Sequence, residues 1–154
     1  MLRPGNRPFF MDWIHWGYLG LFVASFLAAT VLPITSEALL LSMVAYHYDP
    51  YYCLLIATIG NSAGSYLNYF IGMAGKPEWL SKIRVKPHQI LKWEGRVKKH
   101  GVYLAFFAWL PFIGDVLSVA LGFFRVNWKA SFLYIFIGKF VRYLVILAFY
   151  YYVK

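Results

Sequence analysis

Charged residues are scarce in this sequence, and acidic ones most of all. Of its 154 residues, 14% are charged and 61% are hydrophobic. Soluble domains typically have about 25% charged residues, so this composition excludes an ordinary soluble protein and indicates that lipid surrounds much of the chain. We predict an all-α integral membrane protein in which residues 1–154 form a single membrane domain.

Cysteine and histidine are also rare. With Cys53 as its one cysteine, the chain cannot form an internal disulfide. The segment GNSAGS, residues 60–65, could carry a serine nucleophile, but no histidine follows His100 in the sequence to act as its base. The histidines stand apart and form no metal-binding pattern: His15, His47, His88 and His100. We therefore expect no enzyme, no metal and no cofactor.

Long apolar runs dominate the rest of the sequence. Four blocks have at least 24 residues each, and about 20 helical residues suffice to cross a hydrocarbon core of ~30 Å. The aromatic segment 9–18 before them favours an interfacial position at the lipid headgroups. The blocks are residues 17–46, 50–74, 101–124 and 130–153.

Positive charge is concentrated between the second and third blocks. Residues 76–99 hold eight basic and two acidic side chains, a local net charge of +6. Between membrane segments, such a run is typical of a cytoplasmic loop that faces anionic headgroups, and we do not expect nucleic acid as a partner. After Pro87, apolar residues at three- to four-residue spacing predict a short amphipathic helix within this loop, residues 76–100.

The apolar blocks repeat at an offset of 78 residues, which gives a first repeat at 17–74 and a second at 101–153. In each repeat a proline is followed by three residues and then an acid, and a glycine and a polar residue come later at the same distance. The aligned pairs are Pro33 and Pro111, Glu37 and Asp115, Gly60 and Gly138, and Asn61 and Lys139. Internal repeats of this kind underlie many transporter folds.

The prolines predict that the first and third blocks are interrupted helices. Proline removes a backbone donor and clashes with the preceding turn, and the halves on either side are too short to span a membrane. We predict two re-entrant helical hairpins, with breaks at Pro33 and at Pro111 and Gly114. Each is followed by one transmembrane helix, in an inverted-repeat fold.

A simpler topology stays open. Four uninterrupted spans with both termini inside give the same charge difference across the membrane as two hairpins with both termini outside. The basic loop is cytoplasmic in both models, and only the proline–acid centres favour the hairpins.

Four ionisable residues lie within the apolar blocks: Glu37, Asp115, Lys139 and Arg142. Each costs about 2.5–3.5 kcal/mol at the bilayer centre, so they must pair, line water or change protonation. Lys139 and Arg142 are three residues apart and share one helix face. Asn61 and Asn68 lie on a polar, small-residue face that could line the same space.

These charges have two interpretations. They are structural salt bridges that hold the repeats together, or they form a substrate site. In the second case, Lys139, Arg142, Asn61 and Asn68 bind a phosphate with help from the N-termini of two half-helices, while Glu37 and Asp115 carry protons.

Several motifs resemble the bacterial DedA family and its VTT, or SNARE-associated Golgi protein, domain, in the YqaA branch. They are LPITSE (32–37), GNSAG (60–64), LPFIGD (110–115) and GKFVRY (138–143). The resemblance implies two re-entrant hairpins that face each other, and lipid handling. Members are linked to polyprenyl phosphate recycling, to proton-dependent envelope maintenance or to phospholipid scrambling.

The sequence departs from the family pattern in two places. An acid expected about a dozen residues before Glu37 is missing from 21–25. Two arginines expected around the second proline are replaced by Ala108 and Gly114, and Lys139 and Arg142 could supply that positive charge. We predict a plasma-membrane flippase or transporter of a phosphate-bearing lipid, proton-coupled, with membrane lipids as partners and self-association left open. The alternative is a structural or assembly protein for envelope integrity.

Overall fold

The computed structural model describes residues 9–30, 35–75, 87–110 and 113–154, and within these ranges it has helices and no strand. The predicted breaks at Pro33 and Pro111 and the first part of the basic loop, 76–86, lie outside the described residues. The all-α prediction is confirmed. The helices are α1 (Phe9–Ala28), α2 (Thr35–Ala45), α3 (Pro50–Ala74), α4 (Pro87–Phe106), α5 (Ile113–Phe123) and α6 (Trp128–Val153), with a 3₁₀ turn at Phe107–Trp109.

Helix boundaries recur at the 78-residue offset. Adding 78 to the bounds of α1 and α2 gives those of α4 and α5, and α3 and α6 begin 78 residues apart. The connecting turn recurs as well, because His47 and Arg125 both have positive φ, at 67° and 52°. Asp49 and Asn127 then cap α3 and α6, each accepting hydrogen bonds from two backbone N–H groups. Since non-glycine residues seldom adopt positive φ, the shared turn indicates that the two halves fold alike.

The long helices α3 and α6 are antiparallel. Pro50 at the start of α3 shares a groove with Leu147 and Tyr151 near the end of α6. Towards the other end, the Tyr66 hydroxyl donates a hydrogen bond to the Phe132 carbonyl at 2.9 Å.

Helices α1 and α2 form a pair. Its open end, formed by the first half of α1 and the end of α2, lies beside the start of α3. Gly17 of α1 lies against the ring of Tyr48, which follows α2, and the rings of Tyr18 and Tyr48 pack edge to face with centroids 5.3 Å apart. The far end of α1 reaches past the middle of α3, where the Ala29 carbonyl accepts a hydrogen bond from Asn68 at 2.7 Å. We call the open end of this pair the tyrosine end.

Helices α4 and α5 form a second pair, with its open end beside the start of α6. Because α3 and α6 are antiparallel, the open ends of the two pairs point in opposite directions. Gly101 of α4 packs against Val126, which follows α5, while Gly138 in the middle of α6 packs against the Phe106 carbonyl. Exposed cations gather at the open end of this second pair, which we call the basic end: Arg96, Lys98, Lys99, Arg125 and Lys129. Whether the two pairs enter a membrane from opposite sides stays a prediction.

Glycines bring α5 into backbone contact with α3. A Cβ at Gly72 would lie 2.0 Å from the Val119 carbonyl oxygen, and one at Gly122 would lie 1.8 Å from that of Tyr69. Small residues permit this close helix packing in membrane proteins. The contact fixes the position of α5 and of the acidic residue in its first turn.

Two predicted boundaries fall inside helices. The aromatic segment 9–18 is continuous with the apolar residues after it, because α1 runs from Phe9 to Ala28. The limit between loop and second repeat at residue 100 lies within α4, which has no proline between Pro87 and its end at Phe106. Among the described residues, α6 alone is long and apolar enough to cross a membrane as a single helix, and shorter apolar helices cover His15–Ala28, Ser36–Ala45 and Ile113–Phe123.

Candidate functional site

The four predicted charges meet where the two helix pairs converge. Glu37 and Asp115 lie in the first turns of α2 and α5, and Lys139 and Arg142 project from the middle of α6. Acids in a first turn interact favourably with the positive end of the helix dipole. The repeated turn geometry and the single helix α6 thus bring both acids and both bases to one region.

Glu37 and Arg142 form an ion pair across the two halves of the chain. An Nη of Arg142 donates to Glu37, and the other Nη donates to the Trp109 carbonyl at 2.9 Å. The paired side chains are 15% and 18% exposed. The guanidinium therefore ties α6 to α2 and to the 3₁₀ turn after α4.

Lys139 is almost fully buried, with 3% of its surface exposed. Its ammonium donates to the Asn61 side-chain oxygen. These two residues are 78 positions apart, so the points of α3 and α6 that the offset relates contact each other directly. Asp115 lines the same pocket as Lys139, but within the described part of the chain it belongs to no ion pair under 4 Å.

A small polar pocket lies between these groups. It has a volume of about 10 Å³, which is room for about one water molecule. Its polar lining residues are Asn61, Asp115, Lys139 and Arg142. The structure therefore places three of the four predicted charges around one cavity. Glu37 does not line this cavity but forms an ion pair with Arg142, which does.

The remaining predicted residues have other surroundings. The Asn68 amide donates to the Ala29 carbonyl and does not line the pocket. Gly114 is buried, and a Cβ there would lie 2.1 Å from the Ala108 carbonyl oxygen. Gly114 thus lets the start of α5 lie against the 3₁₀ turn. The substrate role of Asn68 stays a prediction.

Sequence reasoning missed Tyr143. Its hydroxyl donates to the Ser36 hydroxyl at 2.9 Å, and its side chain is 1% exposed. Tyr143 follows Arg142 and lies four residues after Lys139, so helical spacing could have placed it on the face of Lys139. Three further buried hydroxyls come from α1 and α3: Ser25, Ser62 and Ser65.

The chain is similar to known proteins over most of its length. The VTT domain model matches residues 32–152. An uncharacterized protein of Haemophilus influenzae is 34% identical over 135 residues, which cover 82% of this chain and 83% of that protein. Inner membrane protein YqaA of Escherichia coli and that of Shigella flexneri are each 32% identical over 129 residues, which cover 83% of this chain and 87% of each relative. No solved structure matches the chain.

Proposed function

We propose that this chain, which belongs to the VTT domain family as its resemblance to the DedA family predicted, moves a phosphate-bearing lipid between the leaflets of a bacterial inner membrane. The observation that carries the proposal is the Glu37–Arg142 ion pair next to the polar pocket of Lys139, inside a largely apolar bundle. Ionisable residues within membrane segments are costly, and they commonly mark substrate or ion pathways. The relatives' name, inner membrane protein YqaA, supports the inner-membrane location.

In this proposal the α1–α2 and α4–α5 pairs are re-entrant hairpins that enter the bilayer from opposite sides. The opposite openings of the two pairs support it, as does the shared 78-residue offset of their helices. The basic end faces the cytoplasm, since Lys and Arg are enriched on that side of membrane proteins. The tyrosine end, where Tyr46, Tyr51 and Tyr152 are strongly exposed, then lies at the opposite interface.

Arg142 is the group that binds the lipid phosphate. A guanidinium matches the geometry of phosphate with two parallel hydrogen bonds. One arm of Arg142 is held by the Trp109 carbonyl and the other pairs with Glu37. Phosphate and Glu37 therefore compete for the same donor.

This competition couples lipid movement to protons. Protonation of Glu37 removes its negative charge and frees the guanidinium for phosphate, and loss of that proton restores the ion pair and releases the lipid. Lys139 and Asp115 provide a second, more buried cation and acid. In a second step the pocket between them, which has room for about one water molecule, widens and the phosphate passes from Arg142 towards Lys139.

A lipid-flip assay tests the proposal. Purified protein is reconstituted into phosphatidylcholine liposomes with a fluorescent polyprenyl phosphate or phosphatidylglycerol, and flipping of each is measured with a membrane-impermeant quencher. We expect Arg142→Ala and Glu37→Gln to slow flipping of at least one of these lipids. Glu94→Gln and Arg96→Ala are matched controls, because they remove the same chemical groups from the exposed part of α4.

The proposal fails if the Glu37 and Arg142 variants fold normally and flip both lipids at the wild-type rate. Folding is checked by thermal unfolding in detergent. Flipping that slows equally in the two control variants would also contradict it, since loss of a charged side chain outside this site would then have the same effect.

A second candidate function is a structural or assembly role with the basic segment as docking surface. The exposed side chains of Arg96, Lys98 and Lys99 at the basic end favour it. Neutralising these three together with Lys92 would then abolish envelope integrity in cells, while Glu37→Gln and Arg142→Ala would retain it. Transport predicts the reverse pattern.

A further inference from the structure

Arg142 borders two different spaces. On one side it lines the polar pocket with Asp115 and Lys139. On the other it lines an apolar groove on the outer surface, with a volume of about 420 Å³ and walls from α4, the 3₁₀ turn and α6. The other residues of this groove are Phe106, Trp109, Val141, Val145 and Ile146.

The apolar groove continues along α6 towards the tyrosine end. A second groove of about 510 Å³ shares Val145 and Ile146 with the first and ends at Lys154, with Leu41 of α2 in its wall. From Arg142 to Lys154 the helix rises about 18 Å, at 1.5 Å per residue. The two grooves thus form one apolar track, which we call the chain groove, with a cation near each end.

A third groove on α6 lacks this combination. It lies between α3 and α6, has a volume of about 300 Å³, and its described lining residues are all uncharged. Leu144 lines this third groove and its neighbour Val145 lines the chain groove. The two surfaces therefore differ at the same depth of the same helix, and a cation borders only the chain groove among these two.

We propose that the chain groove binds the hydrocarbon chain of the phosphate-bearing lipid whose headgroup pairs with Arg142. An anionic amphiphile matches both the cation and the groove beside it, because its phosphate pairs with the guanidinium and its hydrocarbon chain covers the apolar track. The inference rests on the proposed function and adds a second element of recognition. The site then selects lipids by their chain as well as by their phosphate.

Crosslinking in vesicles tests the chain groove without requiring transport. The probe is a polyprenyl phosphate with a photoreactive group on its chain, at low fraction in phosphatidylcholine vesicles that contain the reconstituted protein. We expect crosslinks at residues 141–146, and Val145→Trp to reduce them about tenfold, the effect of losing roughly two methylene contacts. Leu144→Trp, which places the same side chain in the uncharged groove, should crosslink like wild type.

A second variant separates bulk from polarity. Val145 is 60% exposed, so Val145→Ser leaves the packed interior intact and makes the groove polar. It should also reduce crosslinking, while Leu144→Ser should not.

Equal crosslinking in the Val145 and Leu144 variants would overturn the chain groove, and so would crosslinks spread evenly along α6. A protein that keeps the expected crosslinks but flips no lipid would refute the proposed function and leave the chain groove standing. Wild-type flipping with no preference for residues 141–146 would refute the chain groove alone.

Discussion

Glu37 and Asp115 occupy equivalent positions in the two halves of the molecule but have different surroundings. Both lie in the first turn of a short helix. Glu37 forms an ion pair with Arg142. Asp115 forms no ion pair within the described residues and lines the polar pocket together with Lys139. Positions related by the 78-residue offset can therefore share their place in a helix and carry different chemistry.

The difference arises on the long helices. Arg142 of α6 corresponds to Gly64 of α3 at the 78-residue offset. At Gly64 a Cβ would lie 2.5 Å from the Phe26 carbonyl oxygen, so α1 packs against α3 where a side chain would otherwise stand. One half uses this position for close packing, and the other uses it to hold a charge at the junction of pocket and groove.

The largest expected effect is that of Arg142→Ala. It leaves Glu37 partly buried without its partner, and breaking a buried ion pair costs about 3–5 kcal/mol. Because both side chains keep some exposure, we expect a loss near the low end, about 3 kcal/mol. Unfolding in mixed detergent micelles measures the free energy of unfolding.

The double variant with Glu37→Gln provides the control for this prediction. It should be more stable than Arg142→Ala alone, since the unpaired charge is removed. If Arg142→Ala is no less stable than Asp115→Asn, the two acids are not distinguished by pairing and the comparison is wrong.

A smaller effect is expected at the equivalent glycine. Gly64→Ala would crowd the Phe26 carbonyl and the Ala29 side chain, and overpacking typically costs about 1–3 kcal/mol. Gly20→Ala is the matched control, because a Cβ there meets no atom within 4 Å. The same unfolding experiment should show a loss for Gly64→Ala only, and equal stability of the two variants would mean that close packing does not explain the glycine.

The smallest effect is expected for Asp115→Asn. Asp115 has no ion pair to lose within the described residues, so we expect the free energy of unfolding to change by less than about 1 kcal/mol. Flipping should slow nonetheless if Asp115 acts in the second step of transport. A stability loss as large as that of Arg142→Ala would show that Asp115 is a structural partner of Lys139.

The sequence was informative about the arrangement of elements and less so about individual contacts. The 78-residue offset predicted the recurrence of helix boundaries in the two halves, whereas the breaks at Pro33 and Pro111 lie outside the described residues and stay predictions. Three-residue spacing put Lys139 and Arg142 on one face. Which acid pairs with which base depends on how α2 and α5 lie against α6, and no local pattern encodes that.

Asn68 and Tyr143 illustrate the same limit. Asn68 shares a helix face with Asn61, but the end of α1 takes its amide hydrogen bond. In the sequence, Tyr143 is one more aromatic residue of an apolar helix. Its hydrogen bond to Ser36 depends on how α2 packs against α6. The chain groove likewise requires the packing of α4 and the 3₁₀ turn on α6.

The most direct measurement is the contact between the Arg142 guanidinium and the phosphorus of a bound lipid. Solid-state NMR on reconstituted protein with ¹⁵N-labelled arginine can detect ¹⁵N–³¹P coupling, and Arg142→Lys identifies the signal. If phosphate binds Arg142, its oxygens lie about 2.7–2.9 Å from the guanidinium nitrogens, and we expect a coupling that is lost in Arg142→Lys and stronger at a pH that protonates Glu37. Bound lipid with no such coupling, or a coupling that Arg142→Lys leaves unchanged, would contradict a phosphate site at Arg142.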